Sequence, residues 1–350
     1  MESASFTLGE GLTPLIKSRR IGPDAGLAHL YFKLETVNPT GSYKDRFAAA
    51  AITDMLQQGK KRVVTCSSGN AGSALAAYCA AAGMTCQVAV FIGAPENKLK
   101  QMLAYGATVW RIEGFGADPE ISGKVFKYLK HLGAAPDTEL QVSSYQFNPV
   151  GMAGVEFIGR ELVEQISAEQ GAVDHLFCCA GGGGLLLAVY RGFQTALQEA
   201  RIERLPAFHC VQPAGNNTIA GPLQEGCDRA QTCQSTTKIG GLQVASVLDG
   251  NDVIAACRET GGSGYLVEDE FVYEVQALLA RQEGIFCEPA AAVSLAGVLQ
   301  AAAAGKIQSE ETVVCVITGS GFKDQGSIDR MLADAPCPVI ALSEFIEQTA

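Results

Sequence analysis

The sequence predicts an α/β fold with two open, mostly parallel twisted sheets that are flanked by helices. Short β-branched runs alternate with helical stretches along most of the 350 residues, and parallel strands need crossover helices of this kind. The chain is also longer than the size at which one hydrophobic core usually stops growing. We therefore expect two lobes: a larger one formed by residues 1–46 and 148–350, and a smaller one formed by residues 47–147.

The alternation can be followed element by element. In the smaller lobe we predict strands at Val63–Cys66, Cys86–Ile92, Thr108–Ile112 and Leu140–Ser144, with helices near 72–82, 97–104 and 120–132. In the larger lobe we predict helices near 152–168, 185–199, 268–283 and 289–303, with strands at Val173–Cys179, Ala207–Gln212 and Thr312–Ile317. Residues 214–264 have weak periodicity, so no element is predicted there.

Composition and charge exclude several classes of function. The net charge is -11 at pH 7, whereas nucleic acid or an anionic membrane surface would require a clustered basic face. The chain begins Met-Glu-Ser-Ala-Ser-Phe, without the basic and then apolar pattern of a signal peptide, and its apolar stretches are too short to span a bilayer. We expect a cytoplasmic protein that binds neither nucleic acid nor membrane.

Cysteine and histidine spacing indicates no metal site. The 12 cysteines lie mostly inside apolar runs, which is typical of buried thiols in a reducing cytosol. No Cys-x-x-Cys occurs, and His29, His131, His175 and His209 are far apart in the chain. We therefore expect no bound metal.

Two loops that follow predicted strands suit anionic groups. In an open parallel sheet, ligands bind beyond the carboxyl ends of the strands. In the loop Cys66–Ser73, hydroxyls, an amide and free N–H groups converge at a helix N-terminus, which suits a carboxylate, although Ser and Asn also cap helices. The loop Gly181–Gly184 leaves no side chain between its N–H groups and a ligand, and a phosphate is its expected occupant. Neither a dinucleotide fingerprint nor a P-loop fits this segment.

Lys44 and Thr318 complete the candidate site. A lysine amine in a partly dry pocket has a lowered pKa and can form a Schiff base with an aldehyde. The Thr-Gly-Ser-Gly segment that starts at Thr318 would let hydroxyls approach a flat ring. An aldehyde cofactor with a phosphate tail needs a lysine, a phosphate loop and a polar group near its ring, and the chain has all three. Beside Lys44, we expect Asp45 and Arg46 to form a structural pair at the start of a helix.

Taken together, these segments resemble the pyridoxal-phosphate enzymes of fold type II, the tryptophan-synthase-β-like family, and within it the threonine synthase branch. The matching segments follow the family's order over residues 9–324: Gly9–Leu15 (GEGLTPL), Asn38–Arg46 (NPTGSYKDR), Ser68–Gly72 (SGNAG), Glu288–Ala292 (EPAAA) and Thr318–Asp324 (TGSGFKD). The resemblance implies pyridoxal 5'-phosphate as cofactor, a small amino acid as substrate, a smaller mobile lobe and a homodimer.

The resemblance also implies a role for each site residue. Lys44 would hold the cofactor through a Schiff base and then remove the α-proton of the substrate. Asn70 would hydrogen-bond the phenolic oxygen of the ring. Thr318 would meet the pyridine nitrogen, where a neutral hydroxyl favours loss of a β or γ leaving group over transamination. Two sets of residues would bind the anionic groups: Ser67, Ser68, Gly69 and Ala71 the substrate carboxylate, and Gly181, Gly182, Gly183 and Gly184 the cofactor phosphate.

Three departures from the threonine synthase pattern bear on the substrate. The segment Gly151–Phe157 lacks the basic residues that suit a phosphorylated homoserine, and Glu156 would repel a phosphate if it faced the pocket. The four glycines at 181–184 look more like the serine and threonine dehydratases. Ser320 stands where threonine synthases usually have His. We therefore expect residues 151–157 to bear on the choice of substrate.

The predicted function is a lyase or synthase of threonine synthase type that eliminates or replaces a β or γ leaving group on a small amino acid, such as phosphohomoserine. A serine/threonine dehydratase or a β-replacement synthase is one alternative. A noncatalytic sensor that binds the cofactor or an amino acid is another, although the intact set of Lys44, Asn70 and Thr318 favours an enzyme.

Overall fold

The structure, a computed structural model, describes residues 5–169 and 171–349 and contains two sheets flanked by helices. The strands are β1 (Leu15–Lys17), β2 (His29–Leu34), β3 (Arg62–Thr65), β4 (Thr85–Phe91), β5 (Thr108–Ile112), β6 (Thr138–Leu140), β7 (His175–Cys179), β8 (Ala207–Pro213), β9 (Gly264–Val267) and β10 (Thr312–Ile317). The helices are α1 (Ile21–Asp24), α2 (Lys44–Gln57), α3 (Asn70–Ala81), α4 (Glu96–Ala104), α5 (Pro119–Gly133), α6 (Pro149–Ala168), α7 (Gly184–Gln198), α8 (Ala220–Gln224), α9 (Gly250–Glu259), α10 (Asp269–Leu278), α11 (Pro289–Ala303), α12 (Gln325–Met331) and α13 (Leu342–Thr349). The predicted fold class is confirmed.

The larger sheet has six strands in the order β1-β2-β10-β7-β8-β9. β1 is antiparallel to β2, and all other neighbours are parallel. β2 and β10 pair from His29 opposite Thr312 to Leu34 opposite Ile317. A strand near the start of the chain therefore lies beside a strand near its end, and the loops that follow both strands reach the same edge of the sheet.

The smaller sheet has four parallel strands in the order β5-β4-β3-β6. Its strands lie between residues 62 and 140, inside the range that we predicted for the smaller lobe. The boundaries of that lobe, residues 47–147, stay a prediction.

Whether a strand was predicted correctly depended on its composition. β10 is almost wholly buried and reads Thr-Val-Val-Cys-Val-Ile, so its β-branched run was sufficient to predict it. The predicted strand Leu140–Ser144 is wrong, because β6 ends at Leu140 and the next residues form a loop. We did not predict β1, β2 or β9. In β2 the cause is Lys33, a charged residue that interrupts the apolar pattern and is nevertheless fully buried.

A buried ion cluster explains how Lys33 and other charges are tolerated in the protein interior. The Glu161 carboxylate on α6 lies 2.6 Å from Lys33 Nζ and 2.6 Å from Arg46 Nη1. Arg46 Nη2 also lies 2.8 Å from Glu35 Oε1, and Lys33 Nζ donates to the Thr13 carbonyl. Each buried charge thus has a counter-charge and hydrogen bonds, which buried ions require. The cluster joins the N-terminal segment to α2 and α6.

The predicted pair between Asp45 and Arg46 is wrong. The Asp45 carboxylate instead accepts hydrogen bonds from the N–H and the hydroxyl of Thr40. Burial raises the pKa of Asp45 to about 6 despite these bonds. Adjacent residues of a helix point in different directions, and Arg46 turns toward α6 while Asp45 stabilises the turn before α2.

Close packing of α6 against its neighbours depends on glycines. A methyl group built on Gly154 would collide with the Arg46 carbonyl of α2, and one built on Gly192 of α7 would collide with the Glu156 carbonyl of α6. Such contacts let two helix backbones approach directly. The glycines that we associated with substrate choice in residues 151–157 therefore have a packing role.

We expect Gly192→Ala to destabilise the fold by about 1–3 kcal/mol, the usual cost of overpacking a rigid contact. The matched control is Gly123→Ala on α5, where the added methyl group meets no atom within 4 Å; there we expect a gain of about 0.5–1 kcal/mol from the helix propensity of alanine. Urea unfolding followed by circular dichroism measures both. Equal effects at the two positions would contradict the packing role.

Within residues 5–169 and 171–349, no helix is both long enough and apolar enough to cross a membrane.

Candidate active site

A cavity of about 390 Å³ lies where loops from both sheets converge. Its walls include the loops that follow β3, β7 and β10, as expected for ligands beyond the carboxyl ends of parallel strands. Every residue to which the resemblance gave a catalytic, cofactor-binding or carboxylate-binding role lines this one cavity: Lys44, Ser67, Ser68, Gly69, Asn70, Ala71, Gly181, Gly182, Gly183, Gly184 and Thr318.

Lys44 is the first residue of α2 and presents its amine to the cavity. Its Nζ donates to Ser143 Oγ at 2.7 Å and lies 4.5 Å from the centre of the Tyr43 ring. Burial lowers the pKa of Lys44 to about 8, although the Asp249 carboxylate opposes this shift. A substantial fraction of the amine is therefore neutral near pH 8, which a nucleophile or a general base requires.

Backbone hydrogen bonds fix Lys44 against the loop that follows β10. The Tyr43 N–H donates to the Thr318 carbonyl at 3.0 Å, Ser42 and Gly319 form an antiparallel bridge, and the Ser320 N–H donates to the Gly41 carbonyl. Because these bonds involve only backbone atoms, they hold the amine of Lys44 and the hydroxyl of Thr318 in one cavity although the two residues are far apart in sequence.

The polar loop after β3 leads into α3, which begins at Asn70. The Gly69 N–H donates to Ser67 Oγ at 3.3 Å. Asn70 Nδ2 donates to Glu288 Oε1 at 2.6 Å, while Asn70 Oδ1 is buried without a hydrogen-bond partner in the described part of the chain. Native proteins rarely leave such an atom unpaired, so the amide is suited to a ligand in the cavity.

The four-glycine loop connects β7 to α7 through a left-handed turn. Gly183 has φ of +97°, which residues with a side chain rarely adopt. Side chains at Gly182 and Gly183 would lie 2.8 Å from Leu248 and from Val253. Among the described residues, none accepts a hydrogen bond from the N–H groups of residues 182–186. A helix N-terminus with several free N–H groups is a binding site for phosphate.

Sequence reasoning missed one part of the cavity wall. Residues 240–244, Leu248 and Asp249 all line it, and they belong to the stretch in which we predicted no element. The Asp249 carboxylate accepts from Ser144 Oγ and from the N–H groups of Tyr145 and Gln146. The only sequence signal for this part of the wall was the Gly-Gly pair at 240–241, and such pairs also occur in many ordinary turns.

Ser143 was missed because we placed it in a strand, whereas it is the one described side chain that accepts a hydrogen bond from the Lys44 amine. We expect Ser143→Ala to lower kcat about tenfold with little effect on KM, since a hydrogen bond to a charged group contributes roughly 1.5–3 kcal/mol. Ser143→Thr keeps the hydroxyl and serves as the control. Steady-state kinetics measure both variants, and an alanine variant with the wild-type rate would show that Ser143 does not position Lys44.

Residues 151–157, which we expected to bear on the choice of substrate, lie outside the cavity. Glu156 accepts a hydrogen bond from the Tyr145 hydroxyl at 2.8 Å, and Gly151 packs against Phe47 and Asn148.

Outside the cavity, the structure brings together two of the histidines that are distant in sequence. His175 Nδ1 lies 2.9 Å from His209 Nε2, and His175 Nε2 lies 3.2 Å from Glu311. Burial lowers the pKa of His209 to about 3. In the part of the chain that the structure describes, no group of three or more His, Cys, Asp or Glu residues is arranged to hold a metal ion.

The residues of the cavity fit pyridoxal phosphate. The free N–H groups at the start of α7 match a phosphate, the unpartnered Asn70 amide oxygen and the Thr318 hydroxyl match the polar edge of a ring, and Lys44 is an amine of lowered pKa. A comparison with known families agrees: residues 6–319 match the model described as pyridoxal-phosphate dependent enzyme. The chain belongs to this family. The predicted cofactor and enzyme class, a pyridoxal-phosphate-dependent lyase of the threonine synthase type, are confirmed.

Relatives of the chain within the pyridoxal-phosphate family include threonine synthases. The threonine synthase of Mycobacterium leprae is 33% identical over 98% of this chain and 90% of its own length. Among solved structures, serine racemase from Dictyostelium discoideum is similar with a TM-score of 0.67 and 25% identity over 88% of this chain and 92% of its own. L-serine ammonia-lyase from Rhizomucor miehei is similar in fold, with a TM-score of 0.74 and 19% identity over 93% of this chain and 98% of its own.

Proposed function

We propose that this enzyme eliminates or replaces a leaving group at Cβ or Cγ of a small amino acid, and that Lys44 moves the α-proton. The observation that carries this proposal is the position of Lys44: its amine shares one cavity with a helix N-terminus suited to a phosphate and with a polar loop suited to a carboxylate. Such a reaction needs a nucleophile, binding sites for the anionic groups and a cavity that holds them close together.

In the proposed reaction, two loops bind the cofactor and the substrate, and Lys44 transfers the proton. Gly181–Gly184 bind the cofactor phosphate, and the loop Ser67–Ala71 binds the substrate carboxylate, so that the substrate is held by its charged end. When bound, pyridoxal phosphate supplies an electron-withdrawing ring that stabilises negative charge at the α-carbon. Lys44 accepts the α-proton at Nζ and can return it, because its pKa of about 8 lies near neutrality.

Thr318 and Asn70 adjust the polar edge of the ring. Thr318 carries no charge and is 3% exposed, so its hydroxyl can meet the pyridine nitrogen without enforcing a proton there. Asn70 presents its amide to the phenolic oxygen. A neutral partner at the nitrogen favours departure of a leaving group over transamination.

The charges on the cavity wall favour a substrate whose side chain is uncharged. Among the described residues, the cations that line the cavity are Lys44 and Lys98, and Lys98 Nζ is already 3.0 Å from Glu288. Asp249 adds a further carboxylate to the wall. A phosphorylated side chain would need unpaired cations. This observation supports a second candidate, a serine/threonine dehydratase or β-replacement synthase, whereas the names of the relatives support a reaction that forms threonine.

Product analysis separates the candidates. The purified enzyme, loaded with pyridoxal phosphate, is incubated with O-phosphohomoserine, L-serine, L-threonine or O-acetylserine plus sulfide. Threonine with phosphate, a keto acid with ammonia, or a new amino acid identifies the reaction. Cofactor binding without turnover, and without α-proton exchange in heavy water on any of these amino acids, would instead indicate a noncatalytic sensor.

We further propose, from the family resemblance, that the enzyme works in the cytoplasm as a homodimer and that residues 47–147 move as a smaller lobe to close the cavity. Size-exclusion chromatography with light scattering tests the dimer.

A further inference from the structure

Lys98 is a buried lysine that lines the cavity but has no role in the reaction proposed above. It lies on α4 and is 1% exposed. Its Nζ is 3.0 Å from Glu288 Oε2, and the Glu288 side chain is itself 3% exposed. Removing two charges from water is costly unless the two groups are well placed for a salt bridge and hydrogen bonds. Surface lysines keep a protein soluble, but a lysine buried this deeply in an ion pair indicates a different role.

Glu288 connects Lys98 to the Asn70 amide. One carboxylate oxygen of Glu288 accepts from Lys98, and the other accepts from Asn70 Nδ2 at 2.6 Å. The Glu288 N–H donates to the Gly319 carbonyl at 2.9 Å, and a side chain at Gly319 would collide with the carboxylate. Lys98 and the backbone of Gly319 thus hold Glu288 from two sides. Its carboxylate accepts a hydrogen bond from Asn70 only when the Nδ2 atom of the amide points toward it.

We infer that Lys98 is a positioning residue: through Glu288 it fixes the orientation in which Asn70 meets the cofactor ring. The inference rests on the role proposed above for Asn70. Lys98 and Asn70 belong to helices beside the smaller sheet, whereas Glu288 immediately precedes α11 beside the larger sheet. The contacts run from α4 to Glu288 and back to α3, so the orientation of Asn70 depends on elements beside both sheets.

The charges around this chain of contacts are balanced. Lys323, which is 5% exposed, interacts electrostatically with Glu288, with Lys98 and with Asp45, which is fully buried. Burial lowers the pKa of Lys323 to about 8, Glu288 and Asp45 oppose this shift, and Lys98 adds to it. Loss of the Lys98 charge would therefore leave an excess negative charge beside the cavity. Glu288 already acts to raise the pKa of Lys44, so the excess negative charge would raise the pKa of this catalytic amine further.

Lys98→Met tests the inference in the enzyme loaded with pyridoxal phosphate. We expect kcat to fall at least tenfold with KM within threefold of the wild type, and the cofactor Kd, measured by titration of pyridoxal phosphate into the apoenzyme, to rise at least tenfold. We also expect the pH midpoint of the cofactor's visible absorbance to move upward by about half a unit or more, because a nearby positive charge has been removed.

Three variants separate positioning from structural support. Lys98→Arg keeps the charge and should stay within threefold of the wild type. Lys98→Met combined with Glu288→Gln removes both charges, so it should recover at least half of the shift in the pH midpoint; residue 288 still lacks its partner on α4, so the cofactor Kd should stay at least tenfold weaker than that of the wild type. Lys100→Met, an exposed position on the same helix, should have no effect.

A Lys98→Met enzyme with an unchanged pH midpoint and cofactor Kd would overturn the inference, even if its melting temperature falls. Should that variant fail to fold, the double variant carries the test: a cofactor Kd at least tenfold weaker than that of the wild type supports the inference, and one within threefold of the wild type refutes it. Both readouts are measured without substrate. A wild-type enzyme that binds the cofactor but converts no amino acid therefore fails the proposed function separately from this inference.

Discussion

Lys44→Ala is expected to lower kcat by roughly 10²- to 10⁴-fold, the contribution of a positioned acid-base group, and to remove the visible absorbance of the bound cofactor. In the described part of the chain, no lysine amine other than those of Lys44 and Lys98 lines the cavity, and Lys98 is held by Glu288. No neighbouring amine is therefore free to replace Lys44. Steady-state kinetics and an absorbance spectrum of the reconstituted protein measure the two effects.

Two controls make this result specific. Lys124→Ala removes a lysine of α5 whose side chain is 73% exposed, and it should change neither kinetics nor spectrum. Lys44→Arg keeps a positive charge at the start of α2 but offers no reactive amine, so it should be as inactive as the alanine variant. Turnover of Lys44→Ala within tenfold of the wild type would refute the assignment of Lys44.

Glu161→Ala is expected to destabilise the fold by about 3–5 kcal/mol, the usual cost of breaking a buried ion pair. The substitution would leave Arg46 with Glu35 alone and would remove the only described counter-charge in direct contact with Lys33. The control is Glu164→Ala on the same helix, where the side chain is 60% exposed and pairs with Arg201 at the surface; exposed pairs contribute about 0–1 kcal/mol. Urea unfolding measures both, and equal losses would refute the importance of the cluster.

The same cluster predicts a loss of stability in acid. Burial alone would raise the pKa of Glu161, but the hydrogen bonds and charges of Arg46 and Lys33 outweigh it and lower the pKa from 4.5 to about 2. A carboxyl group with a lowered pKa in the folded state stabilises the fold above its unfolded pKa. About 3 kcal/mol should therefore be lost progressively as the pH falls from about 4.5 toward 2. In Glu161→Gln, the free energy of unfolding should depend less on pH in this window.

The site was more predictable from sequence than its surroundings. Asn70 and Thr318 follow the predicted strands Val63–Cys66 and Thr312–Ile317, and parallel topology brings the loop after each strand to the carboxyl edge of its sheet. Lys44 was found from the unusual composition of Asn38–Arg46 alone, because β2 was not predicted. Asp249 had no such signal, because its segment has neither period nor a neighbouring strand. The partners of Arg46 were assigned wrongly because local sequence suggested Asp45, whereas the counter-charge Glu161 is distant in sequence. Long-range electrostatic pairing of this kind leaves no pattern in a single chain.

The pairing of β2 with β10 has a consequence for the order of folding during synthesis. The strands of the smaller sheet are contiguous between residues 62 and 140, so this sheet can form while the ribosome is still adding the second half of the chain. The larger sheet cannot close until residue 317 has emerged, because β10 lies between β2 and β7. Contacts of such long sequence separation form slowly. Until then β2 and β7 have an unpaired edge that could pair with another chain, and a nascent chain that stalls before β10 is the species most exposed to aggregation.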